Sequence, residues 1–337
     1  MDIGAGYTIL HKCDRLAEAL GLRNLYVKDD TVNPTNSFKD RPATVAVSKA
    51  LEFGAKAVGC ASTGNLAAAM AAHAAKAGLP CYVFIPADTE VNKVLQAAIY
   101  GAKIVAVKGT YDEANRLAAQ ASEVYDWAFA NINIRPYYVE GSKTLVFEVC
   151  EQLGWRAPDN LIVPVASGAL LCAIWRGLNQ FKELGLIDDK KIKLTGAQPY
   201  GCAPIVSAFK SNNSDIEPID KPCTIAKSLA IGDPGDGLYA LRAIRESGGV
   251  AESATDEEIL EAIQLLAKTE GIFAEPAGGV TIAVLRKLVE LGEISPDEEV
   301  VCCVTGSGFK ASESILESVS KPVEIEPTLE ALAKIID

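Results

Sequence analysis

Ala57-Val58-Gly59-Cys60-Ala61-Ser62-Thr63-Gly64-Asn65 runs on through Leu66–Ala77 to Gly78-Leu79-Pro80 and Cys81-Tyr82-Val83-Phe84-Ile85. A short apolar run over 57–60 meets a turn of small polar residues. An alanine-rich stretch with apolar residues at helical spacing follows, and a β-branched run over 81–85 closes the unit. Strand, helix and strand at this spacing make a right-handed crossover between parallel strands. The pattern then repeats. Runs at Lys103–Val107 and Trp127–Ala130 alternate with helix-like stretches at Val91–Tyr100 and Asp112–Val124. Later, Leu161–Val165, Lys193–Ala197 and Val300–Val304 read as buried strands, with helices at Leu170–Leu184, Thr255–Lys268 and Val280–Glu290. Gly54, Gly78, Gly101 and Gly154 mark helix ends, and Thr255 with Glu258 makes a capping box. The polar stretch Ser211–Cys223, with Pro218 and Pro222, is a surface connection. The fold class is α/β, with two three-layer lobes and mostly parallel sheets.

The chain has 337 residues, of which 49% are hydrophobic, 7% aromatic and 23% charged. That length suggests about two domains, and the apolar content argues against wholesale disorder. A net charge of −12 argues against nucleic acid or an anionic membrane as partner. Residues 1–150 hold 15 acids and 15 bases, which leaves 29 acids, 17 bases and the whole −12 to residues 151–337. Nine scattered cysteines without a C-x-x-C pair, and only two histidines, His11 and His73, argue against any metal site and against a Ser-His-Asp hydrolase. Buried thiols in a reducing, cytoplasmic setting are the expected use of these cysteines. Met1-Asp2-Ile3-Gly4 lacks the basic start and apolar run of a signal peptide. The most apolar stretches, Leu66–Ala75 and Leu161–Ile174, are too short to span a bilayer.

Four segments carry candidate chemistry. In Asn33-Pro34-Thr35-Asn36-Ser37-Phe38-Lys39-Asp40-Arg41, Ser37 is expected to cap a helix running through Thr44–Phe53. Lys39 then falls in the first turn, where the helix dipole disfavours a positive charge. That suits a lysine that forms a Schiff base and later moves protons, although a surface lysine near a helix start fits the residues equally well. In Cys60–Asn65, Ser62, Thr63 and backbone N–H groups gather at a helix start, a site for a carboxylate or phosphate, and Asn65 adds an amide. An ordinary strand-to-helix turn is the plainer reading. Val163–Leu171 repeats that design around Ala166-Ser167-Gly168-Ala169-Leu170. Finally, Cys303–Lys310 sets the Thr305 hydroxyl directly after a buried strand. Each segment is weak alone, but all lie at the C-terminal ends of parallel strands, where such folds place ligands.

The first segment resembles the N-P-T-x-S-F-K-D-R pattern of pyridoxal-phosphate enzymes of the tryptophan-synthase-β fold, fold type II. Within that family, Cys-Ala-Ser-Thr-Gly-Asn at 60–65, Glu140-Gly141-Ser142-Lys143-Thr144, Thr224-Ile225-Ala226 and Ile231-Gly232-Asp233-Pro234 resemble the threonine synthases. Thr305-Gly306-Ser307-Gly308-Phe309-Lys310 is similar to the family's T-G-x-G-L-K, and Glu275-Pro276-Ala277 to its E-P-A. Gly4-Ala5-Gly6-Tyr7-Thr8 resembles G-E-G-x-T-P-L, with Ile9 in place of proline. The match extends from about residue 4 to 312.

The resemblance implies that Lys39 holds pyridoxal 5′-phosphate as an internal aldimine and then acts as the mobile base. It implies that Asn65 contacts the cofactor's ring oxygen, that Ala166, Ser167, Gly168, Ala169 and Leu170 cradle its phosphate, and that Thr305 meets its ring nitrogen. Ser62, Thr63 and Gly64 are implied to bind the substrate carboxylate. The implied reaction turns O-phospho-L-homoserine and water into L-threonine and phosphate. The implied domains are a large cofactor-binding domain of residues 1–36 plus 136–320, a small mobile substrate domain of 37–135, and a tail of 321–337 ending in a short amphipathic helix. A homodimer is implied, and no appended regulatory domain fits after 312.

The chain departs from the pattern where the substrate phosphate is expected. Instead of N-S-x-N-P-x-R-L it reads Ile132-Asn133-Ile134-Arg135-Pro136-Tyr137-Tyr138-Val139, with Tyr138 in the usual Arg place. Leu66 replaces a hydroxyl residue, and Ala-Ser-Gly-Ala-Leu at 166–170 replaces G-N-A-G-N. Asn133, Arg135 and Lys143 are the candidates for a substitute anion site. Two alternatives stay open. One is β-elimination or β-replacement on the same cofactor, as in a serine/threonine dehydratase or a cysteine or cysteate synthase. The other is a non-catalytic amino-acid-binding protein.

Overall fold

The computed structural model describes residues 1–89, 91–319 and 322–336, with the side chains of 91–93 and 317 outside that description. The domain boundary expected at 320/321 and the last residue of the expected tail therefore lie outside the described residues. The chain enters through β1 (Leu10–Lys12), α1 (Asp14–Leu20) and β2 (Asn24–Asp29). It then alternates through α2 (Asp40–Glu52), β3 (Ala57–Ala61), α3 (Asn65–Ala77), β4 (Cys81–Pro86), α4 (Val91–Ile99), β5 (Lys103–Val107), α5 (Tyr111–Val124) and β6 (Trp127–Phe129). Two helices, α6 (Arg135–Ser142) and α7 (Thr144–Gln152), lead back. β7 (Asn160–Pro164), α8 (Ala169–Glu183), β8 (Lys193–Pro199), α9 (Pro204–Lys210), α10 (Gly237–Ser247) and β9 (Ala251–Ala254) follow. α11 (Asp256–Glu270), α12 (Pro276–Glu290) and β10 (Glu299–Val304) complete the larger lobe, and α13 (Ser312–Ile315) and α14 (Leu329–Ala333) end the described chain.

Two sheets result, one of six strands ordered β1-β2-β10-β7-β8-β9 and one of four ordered β5-β4-β3-β6. All neighbours pair parallel except β1 with β2, where Leu10 lies opposite Lys28. Parallel strands bury both faces, which is why their sequences read as continuous apolar runs. In β10, Val300, Cys302 and Val304 pack into one core with α11 and α12, while Val301 and Cys303 pack into another with α7, α8 and α10. The smaller sheet repeats this arrangement. Val58, Cys60 and Val83 face α2 and α3, and Ala61, Phe84 and Phe129 face α5. Gly59 has no side chain because a Cβ there would sit 2.8 Å from the Phe129 ring. Helices on both faces of two mostly parallel sheets are the expected three-layer lobes. Among the described residues no helix is long and apolar enough to cross a membrane.

Local signals hold at the helix ends. Thr255 Oγ1 accepts from the Glu258 amide at 3.2 Å and the Thr255 amide donates back to Glu258 at 2.7 Å, closing the capping box. Ser37 behaves differently from expectation. It bridges to Gly306 as an extended residue, and its Oγ is buried without a partner among the described residues. The turn before α2 is held by Asp40, whose carboxylate accepts from the Thr35 amide at 2.8 Å and from Thr35 Oγ1 at 3.0 Å. Lys39 consequently sits at the N-cap position, before the first turn rather than in it. The polar β9 (Ala251-Glu252-Ser253-Ala254) and the Pro- and Gly-containing α6 carry no clear periodicity and are products of tertiary packing. The tail helix α14 spans five residues and buries none of them.

Arg41, the last residue of the segment that carries Lys39, is fully buried and structural. Its guanidinium meets Asp30 at 2.7 and 2.8 Å and Glu148 at 2.5 and 2.8 Å, and it donates to Thr8 Oγ1 at 2.9 Å. Lys28 Nζ adds bonds to Glu148 and the Thr8 carbonyl at 2.7 Å and to Gln152 at 2.9 Å. Two cations and two carboxylates balance in charge and tie the N-terminal segment, β2, α2 and α7 together. Burial opposes the Arg41 charge, but Asp30 and Glu148 more than offset it and raise its pKa. Burial likewise opposes the Glu148 charge, yet Arg41 and Lys28 hold its carboxyl below the usual range.

Candidate active site

Lys39 precedes α2 and is half-buried. Its Nζ lies 4.5 Å from the Phe38 ring centre and 5.7 Å from that of Tyr138 on α6. The segment before it runs along the loop that leaves β10. The Phe38 amide donates to the Thr305 carbonyl at 2.8 Å, and the Ser307 amide donates to the Asn36 carbonyl at 3.0 Å. Thr305 is thereby fixed beside Lys39, and it is buried. The Glu275 amide donates to the Gly306 carbonyl at 2.9 Å, which brings the start of α12 to the same place.

From the smaller lobe, Asn65 opens α3 and donates through Nδ2 to both carboxylate oxygens of Glu275, at 3.2 and 3.1 Å. Burial raises the Glu275 pKa; the Asn65 hydrogen bond and the charges of Lys310 and Lys39 oppose this without cancelling it. Ser62 and Thr63 are half-buried and Gly64 exposed in the turn just before Asn65. The Gly64 amide donates to Ser62 Oγ at 3.3 Å, and no side chain caps α3. The first-turn amides of this 13-residue helix are left for an anion.

The cradle of 166–170 joins β7 to α8, a 15-residue helix that also has no side-chain cap. Gly168 adopts φ +97°, and a Cβ there would lie 2.8 Å from the Asp236 carbonyl oxygen. Only glycine fits this loop. The Asp236 amide donates to the Ser167 carbonyl at 2.8 Å, and the Asp236 carboxylate pairs with Arg135. Arg135 stands one helical turn from Tyr138 on α6, so the cradle and Lys39 flank the same cleft.

The structure therefore brings Lys39, Asn65, Thr305, the 62–64 turn and the 166–170 loop together. It does not bring all three expected phosphate ligands there. Asn133 is spent on its own turn, accepting from the Phe129 amide and donating to the Trp127 carbonyl, both at 2.8 Å. Lys143 is buried, pairs with Glu140 and donates to Gln180 Oε1 at 3.0 Å. Gln180 lies eleven residues into α8 from Ala169, about 16 Å along the helix from the cradle. Arg135 alone borders the cleft, already paired with Asp236. Glu275 and Tyr138 are cleft residues to which the sequence assigned no role. The E-P-A motif marked Glu275 without its function, and Tyr138 was visible only as a departure.

The donor set fits pyridoxal phosphate. A half-buried amine, a buried hydroxyl residue at a strand end, an amide and an uncapped helix start surround one cleft. Among the described residues, two buried hydroxyls, Ser37 Oγ and Tyr138 Oη, have no hydrogen-bond partner.

Residues 1–306 match the pyridoxal-phosphate dependent enzyme family. The chain is 45% identical to threonine synthase of Methanocaldococcus jannaschii over 98% of its own length and 82% of that protein's. It is also 45% identical to threonine synthase of Methanosarcina acetivorans, over 99% and 82%. Among solved structures, the processed form of threonine deaminase isoform 2 from Solanum lycopersicum superposes with a TM-score of 0.77 at 24% identity, covering 93% of this chain and 88% of that one. That likeness speaks to the fold alone, whereas a near full-length match together with a lysine-centred cleft speaks to kinship, and the chain belongs to the pyridoxal-phosphate dependent enzyme family.

Proposed function

We propose that the chain is a lyase converting O-phospho-L-homoserine and water into L-threonine and phosphate, with pyridoxal 5′-phosphate bound at Lys39. The observation that carries this reading is the convergence of Lys39, Asn65, Thr305 and the Gly168 loop on one cleft, in a chain whose near full-length relatives are threonine synthases. Pyridoxal phosphate supplies an aldehyde for the substrate amine and a conjugated ring that takes up the electrons released at Cα.

The residues divide the work by their chemistry. The amides at the start of α8 hold the cofactor phosphate, and Thr305 Oγ1 offers a neutral partner to the ring nitrogen. Asn65 meets the ring oxygen. The 62–64 turn and the α3 amides bind the substrate carboxylate. Lys39 Nζ, the amine that would hold the cofactor, would also carry protons between the substrate carbons and the leaving side. In the net reaction Cβ loses a proton and takes a hydroxyl from water, Cγ loses its bond to the phosphate oxygen and gains a proton, and the phosphate takes up the remaining proton of water as it departs toward the Arg135 side of the cleft.

The domain division belongs to the same proposal. Residues 37–135 form a small substrate domain that closes on the domain of 1–36 and 136–320, leaving 321–337 as a tail. A homodimer in the cytoplasm fits nine cysteines that are all unpaired.

A second reading is favoured by one observation: Asn133 and Lys143 point away from the cleft and a neutral phenol, Tyr138, faces it. That pattern suits β-elimination or β-replacement on a smaller or different leaving group. Measuring kcat/KM for O-phosphohomoserine against O-phosphoserine with sulfide or sulfite separates the readings. Preference for O-phosphohomoserine supports the first, and preference for O-phosphoserine establishes the second.

A further inference from the structure

Glu275 is a buried carboxylate of the cleft, and the reaction described above gives it no task. It reaches from the start of α12 in the larger lobe to Asn65 at the start of α3 in the smaller one, meeting Nδ2 with both oxygens at 3.2 and 3.1 Å. Its backbone is pinned by the Gly306 carbonyl at 2.9 Å, and a Cβ at Gly306 would press against its carboxylate. A primary amide has a donor end and an acceptor end, and a carboxylate bonds only to the donor end. The contact therefore fixes which way the Asn65 amide faces.

We propose that Glu275 is the positioning residue for Asn65: its carboxylate holds the amide in the one orientation that meets the bound cofactor ring, and its protonation changes what that ring meets. The inference rests on the pyridoxal-phosphate reading of the site. The charged groups facing Glu275 are Lys39 from the segment before α2 and Lys310 from the loop after β10. Lys310 Nζ is itself held by Gln96 Oε1 at 2.5 Å and the Thr35 carbonyl at 2.9 Å, with Asp40 behind it. Asn65 and Gln96 bring only neutral amides from α3 and α4. Burial raises the Glu275 pKa from 4.5, so its proton is exchanged above that pH.

The test uses the full chain loaded with pyridoxal phosphate and reads the absorption spectrum and affinity of the bound cofactor from pH 5 to 9. Wild type is expected to show a spectral step above pH 4.5, the direction in which burial moves Glu275. Glu275→Ala is expected to shift the spectrum and weaken cofactor binding about tenfold, the loss of one charge-assisted hydrogen bond. Glu275→Gln, which keeps an acceptor and loses the charge, is expected to restore the affinity and lack the step. Lys310→Met removes a facing cation and should move the step to higher pH. In an Asn65→Ala background, Glu275→Ala should change nothing further. Additive effects of the two alanines, or a Glu275→Gln spectrum that titrates as wild type does, overturn the inference. Should Glu275→Ala fail to fold, Asn65→Ala alone decides: keeping the wild-type step and affinity overturns the proposal, and losing both supports it. Wild-type protein that takes up no pyridoxal phosphate overturns the functional reading along with this one.

Discussion

Gly168 shows how one backbone angle carries a binding loop. Its φ of +97° and the 2.8 Å approach of the Asp236 carbonyl leave no room for a Cβ. Gly168→Ala is expected to destabilise the protein by about 1–3 kcal/mol and to weaken cofactor binding, measured by thermal melts with and without pyridoxal phosphate. Wild-type affinity in that variant would remove the loop from the site. Tyr138 carries the opposite kind of information, a buried hydroxyl with no partner among the described residues. Tyr138→Phe should raise KM for the phosphorylated substrate roughly two- to tenfold, the worth of one hydrogen bond, with bound-cofactor absorption unchanged. An unaltered KM would leave the phenol without a role in substrate recognition. At this scale the sequence drew attention to Lys39 before α2, Asn65 at the start of α3 and Thr305 after β10, which the structure places around one cleft. It was not legible at Asn133 and Lys143. Whether those polar groups face the cleft depends on the rotation of α6 and α7 against α8, which tertiary packing sets.

Helices and strands followed the same division. Apolar periodicity gave β3 to β6 and their helices to within a residue or two, because each buries a face against the next. Ser37 failed as a cap because a stronger tertiary partner, the loop leaving β10, captured its backbone, while Asp40 took the Thr35 contacts. The joint between α2, β2 and α7 could not be read from local sequence, since Glu148 lies 107 residues from Arg41 and 120 from Lys28. Glu148→Gln leaves Arg41 and Lys28 with only partial compensation in the interior. The expected loss is about 3–5 kcal/mol at neutral pH, read from denaturant unfolding. Because the Glu148 pKa is lowered from 4.5 in the folded chain, its contribution is present above that value and fades as pH falls through the folded pKa. Wild type should therefore approach the variant in strongly acidic solution. A gap between the two that stays constant with pH would refute the assigned ionic role.

For the molecule as a whole, the two lobes are joined by the packed α2–α6 seam and the buried Arg41 cluster, and around the cleft by a few polar contacts. Asn65 reaches Glu275, Gln96 reaches Lys310 and Arg135 reaches Asp236. Such contacts can part and reform more readily than a packed apolar interface, which suits a site that must admit substrate and then exclude all but one water. The charge asymmetry also reads differently on this scale. The neutral first half supplies Lys39 and the α3 start, and the acidic second half closes the site with Glu275, Thr305 and the Gly168 loop, so net charge says little about the substrate. The central claim is that this cleft splits phosphate from the γ-carbon and hydrates the β-carbon. The most direct measurement is the simultaneous assay of phosphate and L-threonine from O-phospho-L-homoserine by the cofactor-loaded protein, with Lys39→Ala alongside. The account predicts equal amounts of both products from the wild type and neither from the variant. Ammonia and 2-oxobutyrate from L-threonine, with no phosphate released from O-phosphohomoserine, would contradict it.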